Sequence, residues 1–474
     1  MNVVFVSAEV APFSKAGGLA DVAGSLPGSI VSDELQCHVI SPLYGQIDRN
    51  EYDIVALDIK GAVEYCSRMC SYQIWEAKKH SNENLKFWFV DHHEFFNRDG
   101  IYTDENGEGY PDNNERYFYF QFVILDLIQR KLLSPDILHC NDHHTGLLPL
   151  LSQVYAIQVH TVFTIHNFLY HGHFSVEEKE QLPTKVQKHL SPTQWNNYSA
   201  LLEGIAHANR VTTVSQGYAN ELMAGENVDP HSLDVINARS DHILGILNGI
   251  DTVYWDPAGD QYLDNKYSID DLSGKAASKA QLLKEVGLKA DLKAPLLGSV
   301  SRLVENKGYS LIFNSMDHFI KRGVSYVFLG SGDPTIARQL KQYVKQYPGQ
   351  VAFVDGFNEP LAHLIEAGSD MFLMPSRFEP CGLNQLYSLR YGTIPIVNRT
   401  GGLADSVEPW MTGKGTGFVF HPYDPEALEE ALETAIKVYE DKSEWMELIK
   451  RAMQKDFSWA ASASHYIKLY TSWK

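Results

Sequence analysis

No apolar run in this sequence approaches the ~18 residues that a membrane-spanning helix requires, which excludes a helical membrane protein. The opening MNVVFVSAEV has no basic flank and no small-residue cleavage site, so it reads as a first strand rather than a secretory signal. Basic residues are scarce. Lys and Arg number 40 against 59 Asp and Glu, and the net charge of −19 argues against nucleic acid as a partner. The five cysteines, Cys37, Cys66, Cys70, Cys140 and Cys381, form no CxxC pair and no zinc spacing. They read as reduced thiols of a cytoplasmic protein. His139, Asn141, Asp142, His143 and His144 cluster tightly, but no HExxH or comparable third-ligand pattern accompanies them, so zinc is rejected. There is no low-complexity tract and no block of like charge.

What is present is an alternation of short apolar runs with helical patterns. Candidate strands lie at 3–6, 38–41, 85–90, 137–140, 161–165 and 211–214, and then at 296–300, 326–329, 351–354, 371–374 and 394–397. Such alternation implies βαβ units and parallel sheets. Two sheets fit better than one, because a single sheet rarely exceeds ~10 strands. The sequence GGLAD occurs at Gly17–Asp21 and again at Gly401–Asp405, each time entering a helix, a faint echo of two halves. A boundary is expected near 243–250, where Asn248-Gly249 is a turn signal. Residues 260–276 read as a polar surface connection, and 458–473 as an aromatic-rich terminal helix. The acidic, glycine-bearing stretch 97–114 is a long loop of the kind that often carries function. In the helix after it, 115–132, most of Tyr117, Phe118, Tyr119, Phe120 and Phe122 should be core, with one or two left to face a sugar.

The chemistry concentrates in MFLMPSRFEPCGLNQL, residues 371–386. A buried strand, a turn and a helix start follow one another here, and ligands of doubly wound sheets sit beyond such strand ends. The helix N-terminus suits a phosphate, and Gly382 allows close backbone approach. Glu379, an ionised acceptor, suits paired sugar hydroxyls, although a surface glutamate after an ordinary strand would look the same. Ser301-Arg302-Leu303-Val304-Glu305-Asn306-Lys307 follows the 296–300 strand, placing two cations where a pyrophosphate would lie. Lys15-Ala16-Gly17-Gly18-Leu19 offers glycines and a helix start for the same purpose, again with a solvated loop lysine as the plain alternative.

PSRFEPCGLNQLYSLRYGTIPIVNRTGGLADSV resembles the donor site of bacterial glycogen synthases and plant starch synthases, and KxGGL is a signature of the same family. The likeness extends from Val3 to Tyr470 with its motifs in order. It implies a GT-B fold: two Rossmann-like domains facing a cleft, residues 1–243 on the acceptor glucan side and 244–458 on the nucleotide-sugar donor side, with 459–474 crossing back onto the first. It implies a retaining glucosyltransferase that moves glucose from ADP-glucose to the non-reducing end of an α-1,4-glucan. UDP-glucose is the alternative donor. Glu379, His166, Asp142, Arg302, Lys307 and Lys15 would then be catalytic. The donor would also meet Gly17, Gly18, Asp21, Asn248, Phe357, Cys381, Gly382, Leu383 and Asn384. Glu9, His144 and Phe96 would lie on the acceptor side, Phe96 standing where the family usually has tyrosine in a Leu-Tyr-Asp-Arg run.

The family offers no well-placed nucleophilic carboxylate, so same-face attack is expected, with the leaving phosphate taking the acceptor's proton. No Asp-x-Asp occurs, so neither a metal nor any other cofactor is expected. Two other readings compete. A glucan phosphorylase would need lysine-bound pyridoxal phosphate, and a non-catalytic glucan-binding regulator would not need Lys15, Arg302, Lys307 and Glu379 intact.

Overall fold

The computed structural model describes residues 1–66 and 68–473. The chain forms two compact units, one from Met1 to Gly249 together with the C-terminal helix Trp459–Thr471, the other from Ile250 to Ser458. Among the described residues no helix is long and apolar enough to cross a membrane.

The first unit contains β1 (Asn2–Val6), β2 (Gln36–Pro42), β3 (Ile54–Tyr65), β4 (Arg68–Ala77), β5 (Leu85–Asp91), β6 (Ile137–Asn141), β7 (His160–Ile165), β8 (His173–Phe174), β9 (Tyr198–Ser199), β10 (Arg210–Thr213) and β11 (Ile243–Gly245). Nine of them make one sheet in the order β11-β10-β7-β6-β1-β2-β5-β4-β3. Its centre is parallel, and its strands are buried almost end to end, as the continuous apolar runs require. The register decides where the chemistry gathers. Val6 pairs with Cys140, Asn141 with Thr164, and Ile165 with Thr213. The carboxyl ends of β1, β6 and β7 therefore open on one edge, and the residues just after them, Glu9, Asp142 and His166, share it.

Two departures from the expected parallel pattern occur in this unit. β3 pairs antiparallel with β4, and β4 antiparallel with β5. Strand β3 opens on an apolar run, Ile54-Val55-Ala56-Leu57, but most of its length alternates exposed and half-buried residues. The aromatic helix spans Asn113–Gln129, and all five of its singled-out rings are buried, leaving none to face a sugar. The C-terminal helix is held by Tyr470, whose hydroxyl lies 2.6 Å from His139 Nδ1. The other ring nitrogen of His139 meets Thr164 Oγ1 at 2.6 Å, so this buried histidine is structural.

The second unit contains β12 (Leu296–Val300), β13 (Ser325–Gly330), β14 (Val351–Asp355), β15 (Met371–Met374), β16 (Ile394–Asn398) and β17 (Phe418–Phe420), all parallel, in the order β14-β13-β12-β15-β16-β17. The chain winds outward from β12 on one side and from β15 on the other. The crevice between those two neighbours is the topological switch point, where such sheets bind ligands. The stretch 260–276 is irregular and largely exposed or half-buried up to the helix Ser273–Glu285, as expected, but it is pinned to the core at two polar side chains. Asp260 accepts a bond from Tyr391 OH and pairs with His363, both within the core. Lys275, near the start of the helix Ser273–Glu285, is buried and donates to Ala367 O, Tyr391 O and Thr393 Oγ1 at 2.6–3.1 Å. These two polar side chains act as core struts for the connection.

Candidate active site

In the second unit the crevice is a cavity of about 330 Å³ lined by Arg302, Lys307, Phe357, Glu379, Gly382, Leu383 and Asn384, with Ser301, Ser331 and Ser376 between them. These residues come from the loops after β12, β13, β14 and β15. The loop after β12 is cross-laced to the loop after β15: Asn306 Nδ2 donates to Phe378 O at 2.8 Å and Arg377 N to Asn306 O at 2.9 Å. The close approach needs Gly308, which has φ +78° and lies where a β-carbon would sit 2.0 Å from the Pro375 carbonyl oxygen. That contact sets Lys307 against Glu379. Lys307 Nζ donates to Glu379 Oε2 at 2.5 Å, and Ser376 Oγ donates to the same oxygen at 3.0 Å. Both partners of the ion pair are mostly shielded, with side chains 17% and 12% exposed. Arg302, by contrast, is exposed and has no ion pair among the described residues. The cavity thus holds one internally neutralised pair and one uncommitted guanidinium.

Gly382 has φ +72°, a left-handed conformation that suits glycine, and a β-carbon there would collide with the Gln385 side chain. Asn384 opens the following helix and donates to Val300 O at 2.5 Å, fixing that helix to the end of β12. Phe357 stands 84% exposed at the rim. Cys381, next to the lining residue Gly382, has a buried side chain, and its carbonyl accepts from Gln385 Nε2 and packs on Gly402.

In the first unit, Glu9 is buried and accepts three bonds: from the N–H of Ala16 at 2.5 Å, that of Gly17 at 2.9 Å and Tyr102 OH at 3.0 Å. Burial raises its pKa, and the three donors pull it part of the way back. Glu9 therefore shapes the KxGGL loop rather than standing open to a ligand. Lys15 is exposed and pairs with Asp21 at 2.7 Å, while the helix Gly18–Ile30 begins with open space around Gly18.

Asp142 has φ +54°, a strained backbone for a non-glycine residue, and its Oδ1 accepts the His166 N–H at 2.7 Å. Burial pushes its carboxyl up to about 7, against the pull of the His166 and Asn167 N–H groups. Burial pushes His166 down to about 3, so the imidazole is neutral. Its Nε2 lies 2.9 Å from Asn141 Oδ1; assigning the proton there leaves Nδ1 as an acceptor. His144 is buried, stacked on Tyr102 at 4.8 Å and edge-on to Tyr117, and its Nδ1 has no partner among the described residues. Asn248, after β11, is buried with its Oδ1 likewise unpartnered. Phe96 corrects the sequence reading. It has no exposed surface and packs on Tyr44, Tyr119 and Phe120, so it cannot present itself to an acceptor.

Sequence reasoning passed over Ser376, Asn306, Asn141 and Tyr102. Each is a polar residue beside a named motif, and only its partner across the fold marks it.

Against this geometry, residues 2–234 match the family model for a starch synthase catalytic domain, and residues 284–452 the model for glycosyl transferases group 1. The chain is 38% identical to a glycogen synthase of Syntrophotalea carbinolica, covering 99% of this chain and 98% of the relative. It is 41% identical to one of Anaeromyxobacter dehalogenans, covering 99% of each. The catalytic domain of starch synthase IV from Arabidopsis thaliana, solved with ADP and acarbose, superposes with a TM-score of 0.88 at 33% identity over 99% of both chains. Sucrose-phosphate synthase of Thermosynechococcus elongatus, 16% identical with a TM-score of 0.62, shares the fold. This chain belongs to the glycogen and starch synthase family and is a glycosyltransferase of GT-B fold.

Proposed function

We propose that the chain extends α-1,4-glucan by transferring glucose from ADP-glucose to the non-reducing end with retention of configuration, without a metal ion and in the cytoplasm. The observation that carries this reading is the pairing, in one cavity, of a free Arg302 with the Lys307–Glu379 ion pair. Arg302 offers a planar fork to a diphosphate. Lys307 has three protons to donate, so it can hold Glu379 and a phosphate oxygen together. Charge on the diphosphate grows as the glycosidic bond breaks, so both cations stabilise departure more than ground-state binding. Glu379, steadied by Lys307 and Ser376, is left with lone pairs for sugar hydroxyls.

On the first unit, neutral His166 keeps Nδ1 as an acceptor for a sugar hydroxyl, and its backbone is fixed by Asp142. Among the described residues no group of three His, Cys, Asp or Glu side chains is arranged to hold a metal. The two cations of the cavity support a metal-free departure. The ADP seen in the Arabidopsis relative supports adenine as the base.

The test is nucleotide release from purified protein given glycogen and either ADP-glucose or UDP-glucose, with and without chelator. ADP-glucose should be turned over faster, at a rate indifferent to chelation. Faster release from UDP-glucose would reassign the donor. Loss of release with chelator would overturn the metal-free reading, and no release from either would overturn the reaction.

A further inference from the structure

In the first unit one large aromatic ring stands exposed beside a short β-ribbon. Trp195 is 59% exposed, and it is not on a loose loop. The turn that carries it is closed by Thr193 N–H to Asn197 O at 2.7 Å and Asn196 N–H to Thr193 O at 3.0 Å, with Asn196 at φ +55°. That turn leads directly into β9, which pairs antiparallel with β8, His173 opposite Ser199. The short ribbon brings His173 beneath Trp195, ring edge to ring face, with centroids 6.3 Å apart. His173 in turn stacks on His171 at 4.8 Å with planes within 9°. Burial and the neighbouring His173 push His171 down to about 4, so its ring stacks uncharged. The loop that supplies both histidines leaves β7 at His166 and exposes Leu169 and Tyr170 on the way. Five residues reach at most about 18 Å, so His171 lies within a short oligosaccharide's length of His166.

An exposed aromatic ring beside polar side chains suits a sugar, which has an apolar face and hydroxyls. Here the neighbours of Trp195 are Gln194, which donates to Asp229 Oδ1 at 3.3 Å, and Asn196, both exposed. We infer that Trp195, with the His171–His173 stack, forms a platform for the growing α-1,4-glucan, several sugars from the reacting end. The occupant follows from continuity: the same loop runs from His166, proposed to meet the reacting sugar, to the platform, and alternating apolar faces and hydroxyls on a glucan match aromatic rings with a polar rim. The inference rests on the proposed synthase reaction. Its consequence is length discrimination, since only acceptors long enough to reach Trp195 gain from it.

Trp195→Ala and Trp195→Phe are to be compared with the parent on maltooligosaccharides of increasing length and on glycogen. Trp195→Ala should raise KM about 3- to 10-fold for long acceptors, the scale of a lost aromatic stack. KM for the shortest acceptor, KM for the nucleotide-sugar and kcat should hold, and Trp195→Phe should recover most of the loss. In parallel, a long maltooligosaccharide without any nucleotide-sugar should change the tryptophan emission of the parent and not that of Trp195→Phe. A KM within twofold of the parent for every acceptor length overturns the platform. So does a loss shared equally by short and long acceptors with a lowered melting temperature, which would make Trp195 merely structural. The emission titration needs no turnover. A binding signal without synthesis would therefore strike the proposed reaction and spare the platform, whereas synthesis without a length effect would do the reverse.

Discussion

Replacing Glu379 with glutamine separates the two roles of the ion pair. The amide keeps the shape of the side chain and can still accept from Ser376 Oγ, now 3.0 Å from Oε2, but it removes the charge opposite Lys307 Nζ at 2.5 Å. The ammonium is left only 17% exposed with no countercharge. Breaking a fully buried pair costs about 3–5 kcal/mol, and a pair at the mouth of a cavity about 1–3 kcal/mol, because water reaches the orphaned group. For a unit of this size that is a fall of roughly 2–10 °C in its melting temperature.

Catalysis should fall further. Loss of one preorganised polar contact to the reacting sugar lowers kcat by roughly 10²–10³-fold, or about 3–4 kcal/mol. ADP affinity should move the other way or hold, since Lys307 is now free for phosphate. The assay pairs single-turnover nucleotide release with calorimetric titration of ADP, at a temperature where the variant remains folded. Weaker ADP binding together with unchanged turnover would refute the argument, because it would make Glu379 a ground-state anchor and leave Lys307 indifferent to it.

Arg302→Ala should leave the melting temperature unchanged, since the side chain has no ion pair among the described residues, and should lower kcat about 10²-fold or more with a smaller rise in KM; a rise in KM alone would contradict a role in departure. Asp142 carries a pH signature. Its folded pKa of about 7 lies above its ordinary 3.8, so the folded state holds a proton the unfolded state has lost, and stability falls as pH rises from about 4 to about 7. Asp142→Asn should therefore gain about 2–3 kcal/mol on the parent between pH 5 and 7.5 in denaturant titrations, and a pH-independent difference would refute the burial argument. Lys275→Met should destabilise the second unit by about 3 kcal/mol or more, because Ala367 O, Tyr391 O and Thr393 Oγ1 lose their shared donor, and a melting temperature within 2 °C of the parent would show those acceptors satisfied otherwise.

Some of this protein could be read from short stretches alone. The strands at 296–300 and 371–374 form where expected, because a parallel strand buried on both faces is a continuous apolar run that no helix period disguises. The loop after Met374 announced itself in the same way, as a strand end followed by proline, glycine and a helix start. The β3–β4 hairpin escaped although Ile54–Leu57 is an apolar run of similar length, because the rest of β3 is polar and largely exposed. Within the connection 260–276, the burial of Asp260 and Lys275 escaped because both read as surface until their partners are known.

The sequence by itself determined the alternation of strand and helix, and thus which loops stand at carboxyl strand ends. Only the tertiary structure decided what those loops do to one another. Lys307 and Glu379 are 72 residues apart, and nothing local says they are bonded. Nothing near Glu9 in the sequence says that its oxygens hold Ala16, Gly17 and Tyr102, the last 93 residues away. Phe96 is as apolar in a core as on a sugar. Local pattern reports which face of an element is apolar. Burial, ion pairing and hydrogen-bond partners are set by which loops the sheet register brings together, and that is a property of the whole fold.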